Sequence, residues 1–244
     1  MLGRQHFTLS VATATVVLAP FFTDYYGLSL ATFLGVAIGS LIPDIDATDA
    51  TVFHTGIKGL HRVPGKLFND IIGPILPIFG YFTKYIIYKP AVLLLNLFSD
   101  NHKFEDGHRS FTHSLIGVVT MTLATGLLLS PLFIESGING IYLIFFLVGY
   151  ASGAIMHMFQ DSCTKTGIAW NQPFSNLRLK GELKTGESNR RPRYFGMMLF
   201  LVALLNLVGT YNVTTNLHIL ITGILLSAVS WTFFAWLSGV SIDK

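Results

Sequence analysis

Histidine and aspartate are the residues of this 244-residue chain whose types and spacing could do chemistry. His157 and Asp161 stand four apart in HMFQD, so on a helix they share one face and can bind one ion together. His108 and His113 stand five apart in GHRSFTHS, a spacing that works if His108 belongs to the preceding loop. Asp44 and Asp46, in SLIPDID, follow Pro43, which favours a break in a regular helix. Each could ligate, or one carboxylate could bridge two ions as in binuclear hydrolytic sites. His6 stands just before the first apolar run. Nitrogen and oxygen donors without sulfur suit zinc, and also manganese or iron, with more than one ion expected. Such a site lowers the pKa of water toward neutrality and polarises a phosphoryl or carbonyl oxygen. Arg109 is placed to hold a phosphate oxygen. Whichever of Asp44 and Asp46 is less engaged with metal is the candidate for orienting or deprotonating the attacking water.

The elements that must position these residues are apolar. Hydrophobic residues make up 51% of the chain and charged ones 12%, about half the charged fraction of a soluble domain. Mean hydropathy is +0.57 and the sequence pI about 9.0. The net charge is +3, and the basic residues flank apolar runs, which favours a membrane over nucleic acid as the partner. Cys163 is the only cysteine, which excludes an intramolecular disulfide and a multi-thiolate zinc site. The opening MLGRQHFTLSVATATVVLAPFF resembles a signal peptide, but another apolar run begins at Leu28 with no cleavage site between. It reads as a retained helix.

Crossing about 30 Å of hydrocarbon takes roughly 20 apolar residues. Candidate spans are 8–22, 28–43, 111–133, 138–160, 194–211 and 216–238. The stretch 67–98 is apolar but interrupted by Pro74, Pro77, Lys84, Lys89 and Pro90, and reads as a re-entrant hairpin or an interfacial element. The fold class is therefore all-α: a polytopic transmembrane bundle, about six spanning helices plus that one element. Residues 1–244 form one membrane-embedded domain, with polar segments at 44–66, 99–110 and 161–193. Those segments hold nearly every basic residue, whereas the turns at 23–27, 134–137 and 212–217 hold none. The positive-inside rule then puts the long segments and both termini in the cytoplasm. Three helical hairpins bring His6, Asp44, Asp46, His108, His113, His157 and Asp161 to that one face.

Taken singly, a histidine at a helix end reads as a capping or interfacial residue, and aspartates after a proline read as helix terminators. Seven at one depth, in a chain this poor in charge, read as a functional set. His54, His61 and His102 lie in polar segments and read as solvated, while His218 falls on the outward side. Arg190, Arg191 and Arg193 read as topology determinants. Ser110, Ser114 and Cys163 lack the surroundings of a nucleophile. Gly35 with Gly39, and Gly149 with Gly153, form small-x-x-x-small pairs that read as close helix packing.

The order N-terminal histidine, LIPDID, GHRSFTHSL, then H-x-x-x-D followed by T-x-x-G resembles the LexA-binding, inner-membrane-associated hydrolases, also described as membrane-bound metal-dependent hydrolases. The match runs from His6 to about Gly167, and GHRSFTHS is its most specific piece. The resemblance implies a multi-helix inner-membrane protein with metal-dependent hydrolase activity. That family is in turn distantly similar to zinc-dependent phospholipase C and single-strand-specific nucleases. The matching positions for metal are His6, Asp44, Asp46, His108, His113, His157 and Asp161. Two departures stand out: Arg190 occupies a place where a glutamate is expected, with Glu187 nearby, and the insertion holding 67–98 has no counterpart in shorter members.

A phosphoester hydrolase acting on lipid or lipid-linked phosphate at the cytoplasmic face is the first functional expectation. The alternatives are a regulatory or binding membrane protein of the LexA-partner type with structural metals, and a divalent-metal transporter. Transport would favour ligands near the bilayer midplane, away from helix ends. Membrane lipids are the expected partners, and nucleic acid is disfavoured. Single cysteines introduced at Tyr25, Gly137, Gly186 and Thr214 check the topology. Labelling from outside is expected at 25, 137 and 214; labelling at 186, or protection at 25, would overturn the orientation.

Overall fold

The computed structural model describes residues 1–60, 65–97, 109, 111–184, 186, 190–211 and 215–243. It is an all-α bundle. The helices are α1 (Gly3–Leu18), α2 (Tyr26–Gly39), α3 (Gly65–Ile71), α4 (Leu76–Phe82), α5 (Lys89–Leu97), α6 (Leu115–Glu135), α7 (Ile141–Ser162), α8 (Arg191–Gly209) and α9 (Asn216–Leu237). Two short strands, β1 (Arg178–Lys180) and β2 (Ser241–Asp243), pair antiparallel at one end. Six stretches among the described residues are long and apolar enough to cross a membrane: Tyr26–Asp46, Leu76–Leu97, Leu115–Glu135, Ile141–Ser162, Arg191–Gly209 and Asn216–Leu237.

That set differs from the sequence expectation at two places. The first helix has 16 residues, about 24 Å at the usual rise, and is too short to be among the six. It lies inside the bundle, tied on three sides by side-chain hydrogen bonds. Gln160 of α7 donates to Ser10 at 2.9 Å, Trp231 of α9 donates to Thr13 at 2.9 Å, and Asn206 of α8 donates to the Val16 carbonyl at 2.8 Å. The stretch 76–97 is one helical rod where a hairpin was an option. Its middle is a π-helical turn, Thr83–Tyr88. Pro77 falls in the first turn of α4, where no backbone donor is lost. Lys84 and Lys89 place their ammonium groups 4.8 Å over the rings of Phe53 and Tyr85, which shelters both charges against aromatic faces.

The most extensive helix pair is α2 with α7. A methyl group at Gly35 or Gly39 would overlap the backbone of Phe146 or Tyr150, and one at Gly149 or Gly153 that of Thr32 or Val36. The two helices thus touch backbone to backbone through reciprocal glycines, the close approach that small residues permit in apolar surroundings. Two apolar clusters flank this seam. One gathers Leu41, Ile45, Val52, Ile57, Phe111 and Tyr150; the other gathers Leu9, Val16, Phe195, Leu199, Trp231 and Phe234. Outward positions such as Leu127, Ile134, Val208 and Trp236 are exposed and apolar, as a hydrocarbon-facing surface requires. Gly39→Ala or Gly149→Ala should destabilise the bundle by about 1–3 kcal/mol through overpacking. Gly209→Ala, where no atom lies within 4 Å of the new methyl, should be neutral. Unfolding midpoints in detergent compare them.

Candidate metal centre

Hairpin geometry carries the site to one end of the bundle. α1 starts there, α2 ends there in the 3-10 turn Pro43–Asp46, α6 is preceded there by the turn Phe111–His113, and α7 ends there. Ser114 caps α6 by accepting the Gly117 N–H at 3.0 Å, which sets His113 just outside the helix. His6, His113, His157 and Asp161 are buried, and Asp44 is the most open of the cluster with its side chain 19% exposed.

His157 stands at the centre. Its Nδ1 is 2.8 Å from the Ser40 carbonyl, and since a carbonyl only accepts, Nδ1 carries the proton and Nε2 presents a lone pair. That Nε2 lies 3.4 Å from Asp44 Oδ1 and 3.9 Å from Asp161 Oδ2. The His6 ring stacks on the His157 ring at 3.7 Å, with its Nε2 3.4 Å from Asp161 Oδ1. His113 Nε2 is 3.7 Å from Asp44 Oδ1 and 3.6 Å from Asp161 Oδ2. Burial pushes the His113 imidazole below its ordinary pKa, against the pull of Asp44.

Two overlapping triads result. His6, Asp44 and His157 present ligand atoms within 4.8 Å of one another, and so do His113, His157 and Asp161. Ligands on one tetrahedral zinc stand about 3.4 Å apart, given bond lengths near 2.0–2.1 Å, so the closest pairs already have the separation of a shared ion. Both ring nitrogens of His6 and Nε2 of His157 are buried without a hydrogen bond of acceptable geometry, an arrangement that fits a divalent cation and is otherwise costly. Asp161 meanwhile receives the Met1 amino group at 2.7 Å and the Arg109 guanidinium at 3.0 Å.

Asp46 and Arg109 lie beside the triads. Asp46 Oδ2 accepts the Arg109 N–H at 3.0 Å, lies 3.2 Å from the Thr112 hydroxyl oxygen, and stands 4.0 Å from His113 Nδ1. Successive residues of a 3-10 turn point about 120° apart, so Asp44 and Asp46 diverge. Arg109 adopts a φ of 70°, pairs with Asp161, and reaches the Gly167 carbonyl at 3.4 Å, while its Nε has no hydrogen-bond partner. His108 lies outside the described residues, as do His61, His102 and Glu187. His54 is exposed, and His218 is exposed on α9 near the opposite end. Burial pushes the Cys163 thiol up to about 12.

Three contributors escaped sequence reasoning. Thr112 donates to the Pro43 carbonyl at 2.6 Å and sits 3.2 Å from His113 Nδ1; its only signal is adjacency to His113. Ser40 and Gly167 act through backbone carbonyls, which no side-chain pattern announces.

Helices of this length and hydropathy, returning their polar ends to one side, define a multi-pass membrane protein. The family model described as YdjM inner membrane protein matches residues 1–239, and the chain belongs to that family. Comparison with curated proteins and with solved structures gave no match. Thr112→Val should cost about 1–3 kcal/mol by stranding the buried Pro43 carbonyl, whereas Thr112→Ser should retain most of the stability. Thermal unfolding of both variants tests this.

Proposed function

We propose that the chain is a membrane-bound, metal-dependent hydrolase that cleaves phosphoesters of lipid or lipid-linked substrates at the cytoplasmic face. The observation that carries this reading is the pair of overlapping His/Asp triads around His157. Zinc suits the donor set best, with manganese or iron as alternatives, and two triads accommodate more than one ion. A divalent ion in such a site supplies Lewis-acid polarisation of a phosphoryl oxygen and makes water nucleophilic at neutral pH.

The chain's own residues take the remaining roles. His6, His113, His157, Asp44 and Asp161 hold the ions. Asp44 takes the proton-accepting role although it also holds an ion, because it is open to water at 19% exposure whereas Asp46 is 3% exposed and engaged by the Arg109 N–H. Asp46 positions the loop, clamping the Arg109 backbone. Arg109 fixes Asp161, and its unpartnered Nε is the donor available to a developing phosphoryl charge. A regulatory membrane protein with structural metals is the second reading, favoured by the burial of His6, His113 and His157; a LexA-type partner belongs to that reading.

Purified protein should carry zinc or a similar ion, and His157→Ala should lose both the metal and phosphodiester or phospholipid turnover. His54→Ala and His218→Ala should lose neither. Arg109→Lys should keep the metal and slow turnover by about 100-fold, the effect of removing a single oxyanion donor. Metal retained in a His113→Ala/His157→Ala variant would sink the ligand assignment. Full activity in both Arg109→Lys and Arg109→Ala would remove Arg109 from the chemistry.

A further inference from the structure

On the side of α1 turned away from the metal cluster lies a second polar cavity of about 400 Å³, within the roughly 300–1,000 Å³ range of ligand sites. Arg4, Gln5 and Thr8 of α1 line it from one side, and Arg190 and Arg193 at the start of α8 from the other. His6, Ser10 and Thr13 occupy the opposite face of α1, where His6 stacks on His157, Ser10 accepts from Gln160 and Thr13 from Trp231. The helix itself therefore separates cavity from cluster.

Arg190 and Arg193 line the cavity opposite Gln5 and Arg4, and no carboxylate is among the described residues that line it. The Thr8 hydroxyl spends its proton on the Arg4 carbonyl at 2.7 Å, and Gln5 uses Oε1 to accept the Leu2 N–H at 3.1 Å. The Gln5 amide NH₂ thus keeps donors to offer. The cavity is a cluster of donors suited to an anion with several acceptor oxygens, and arginine forks match phosphate oxygens in pairs. Its depth narrows the choice. Arg190 immediately precedes the candidate span Arg191–Gly209, which puts the cavity at headgroup level, and Tyr194 and Met197 above it are exposed and apolar.

We propose that this cavity binds the phosphate of an anionic lipid headgroup, bridging the start of α1 to the start of α8. Basic pockets between spanning helices are a recurrent means of holding anionic lipids. The proposal goes beyond the hydrolase reading and stands without it.

The test uses the full-length protein in detergent, with short-chain phosphatidylglycerol, phosphatidylcholine of equal chain length, and inorganic phosphate as probes. Phosphatidylglycerol should bind about tenfold or more tightly than phosphatidylcholine, and an Arg190→Gln/Arg193→Gln variant should lose that preference. Arg190→Lys/Arg193→Lys should retain binding to within about threefold, and Arg178→Gln, in β1, should leave it unchanged. Zinc content should be equal in all of them, which keeps this result separate from the metal reading. Displacement of the lipid by millimolar phosphate would support the site with phosphate itself as the recognised group; no displacement would support it with the lipid as ligand. Equal affinity for the two lipids, or equal affinity in wild type and the glutamine variant, would overturn it.

Discussion

The structure depends on the backbone contact between α2 and α7. In an apolar solvent, helices gain little from hiding apolar side chains from one another, so association relies on close packing and on polar contacts. Gly35, Gly39, Gly149 and Gly153 remove the side chains that would hold the two axes apart. Where the seam ends, the Ser40 carbonyl meets His157 Nδ1 at 2.8 Å. That contact fixes the histidine's tautomer and aims Nε2 at Asp44. A wider crossing would withdraw the carbonyl, free the ring to rotate, and dissolve both triads at their shared member.

Electrostatics sets the second constraint. Burying a carboxylate costs several kcal/mol unless charge or hydrogen bonds compensate it. Asp161 is met by the Met1 amino group and Arg109, and Asp46 by the Arg109 N–H. Asp44 faces two imidazoles, His113 and His157. A cluster with this much anionic and lone-pair character, in a chain where only 12% of residues are charged, is what a divalent cation would stabilise. The same positive charge that compensates the site is absent from the opposite turns.

Much of the fold was legible because lipid imposes a simple rule of length and hydropathy. The hairpins of α6 with α7 and α8 with α9 follow from it directly, and the convergence of His6, Asp44, His113, His157 and Asp161 follows from hairpins. Packing adds what composition does not state. α1 reads as a short span, and Ser10, Thr13 and the Val16 carbonyl tie it to three neighbouring helices. The 76–97 rod reads as interrupted, yet a π turn and two aromatic rings absorb its prolines and lysines. Within the site, ligand types were visible but their division was not. Asp44 and Asp46 look equivalent in PDID, and only the tight turn sends one to the triads and the other to Thr112. Backbone contributors such as Ser40 leave no trace in residue type.

X-ray absorption at the zinc edge, on protein purified without added chelator, tests the central claim most directly. The account predicts a shell of nitrogen and oxygen neighbours near 2.0–2.1 Å with the outer-shell scattering of several imidazoles, and no sulfur. A sulfur shell near 2.3 Å, or scattering without imidazole, would contradict the assignment of His6, His113 and His157 as ligands.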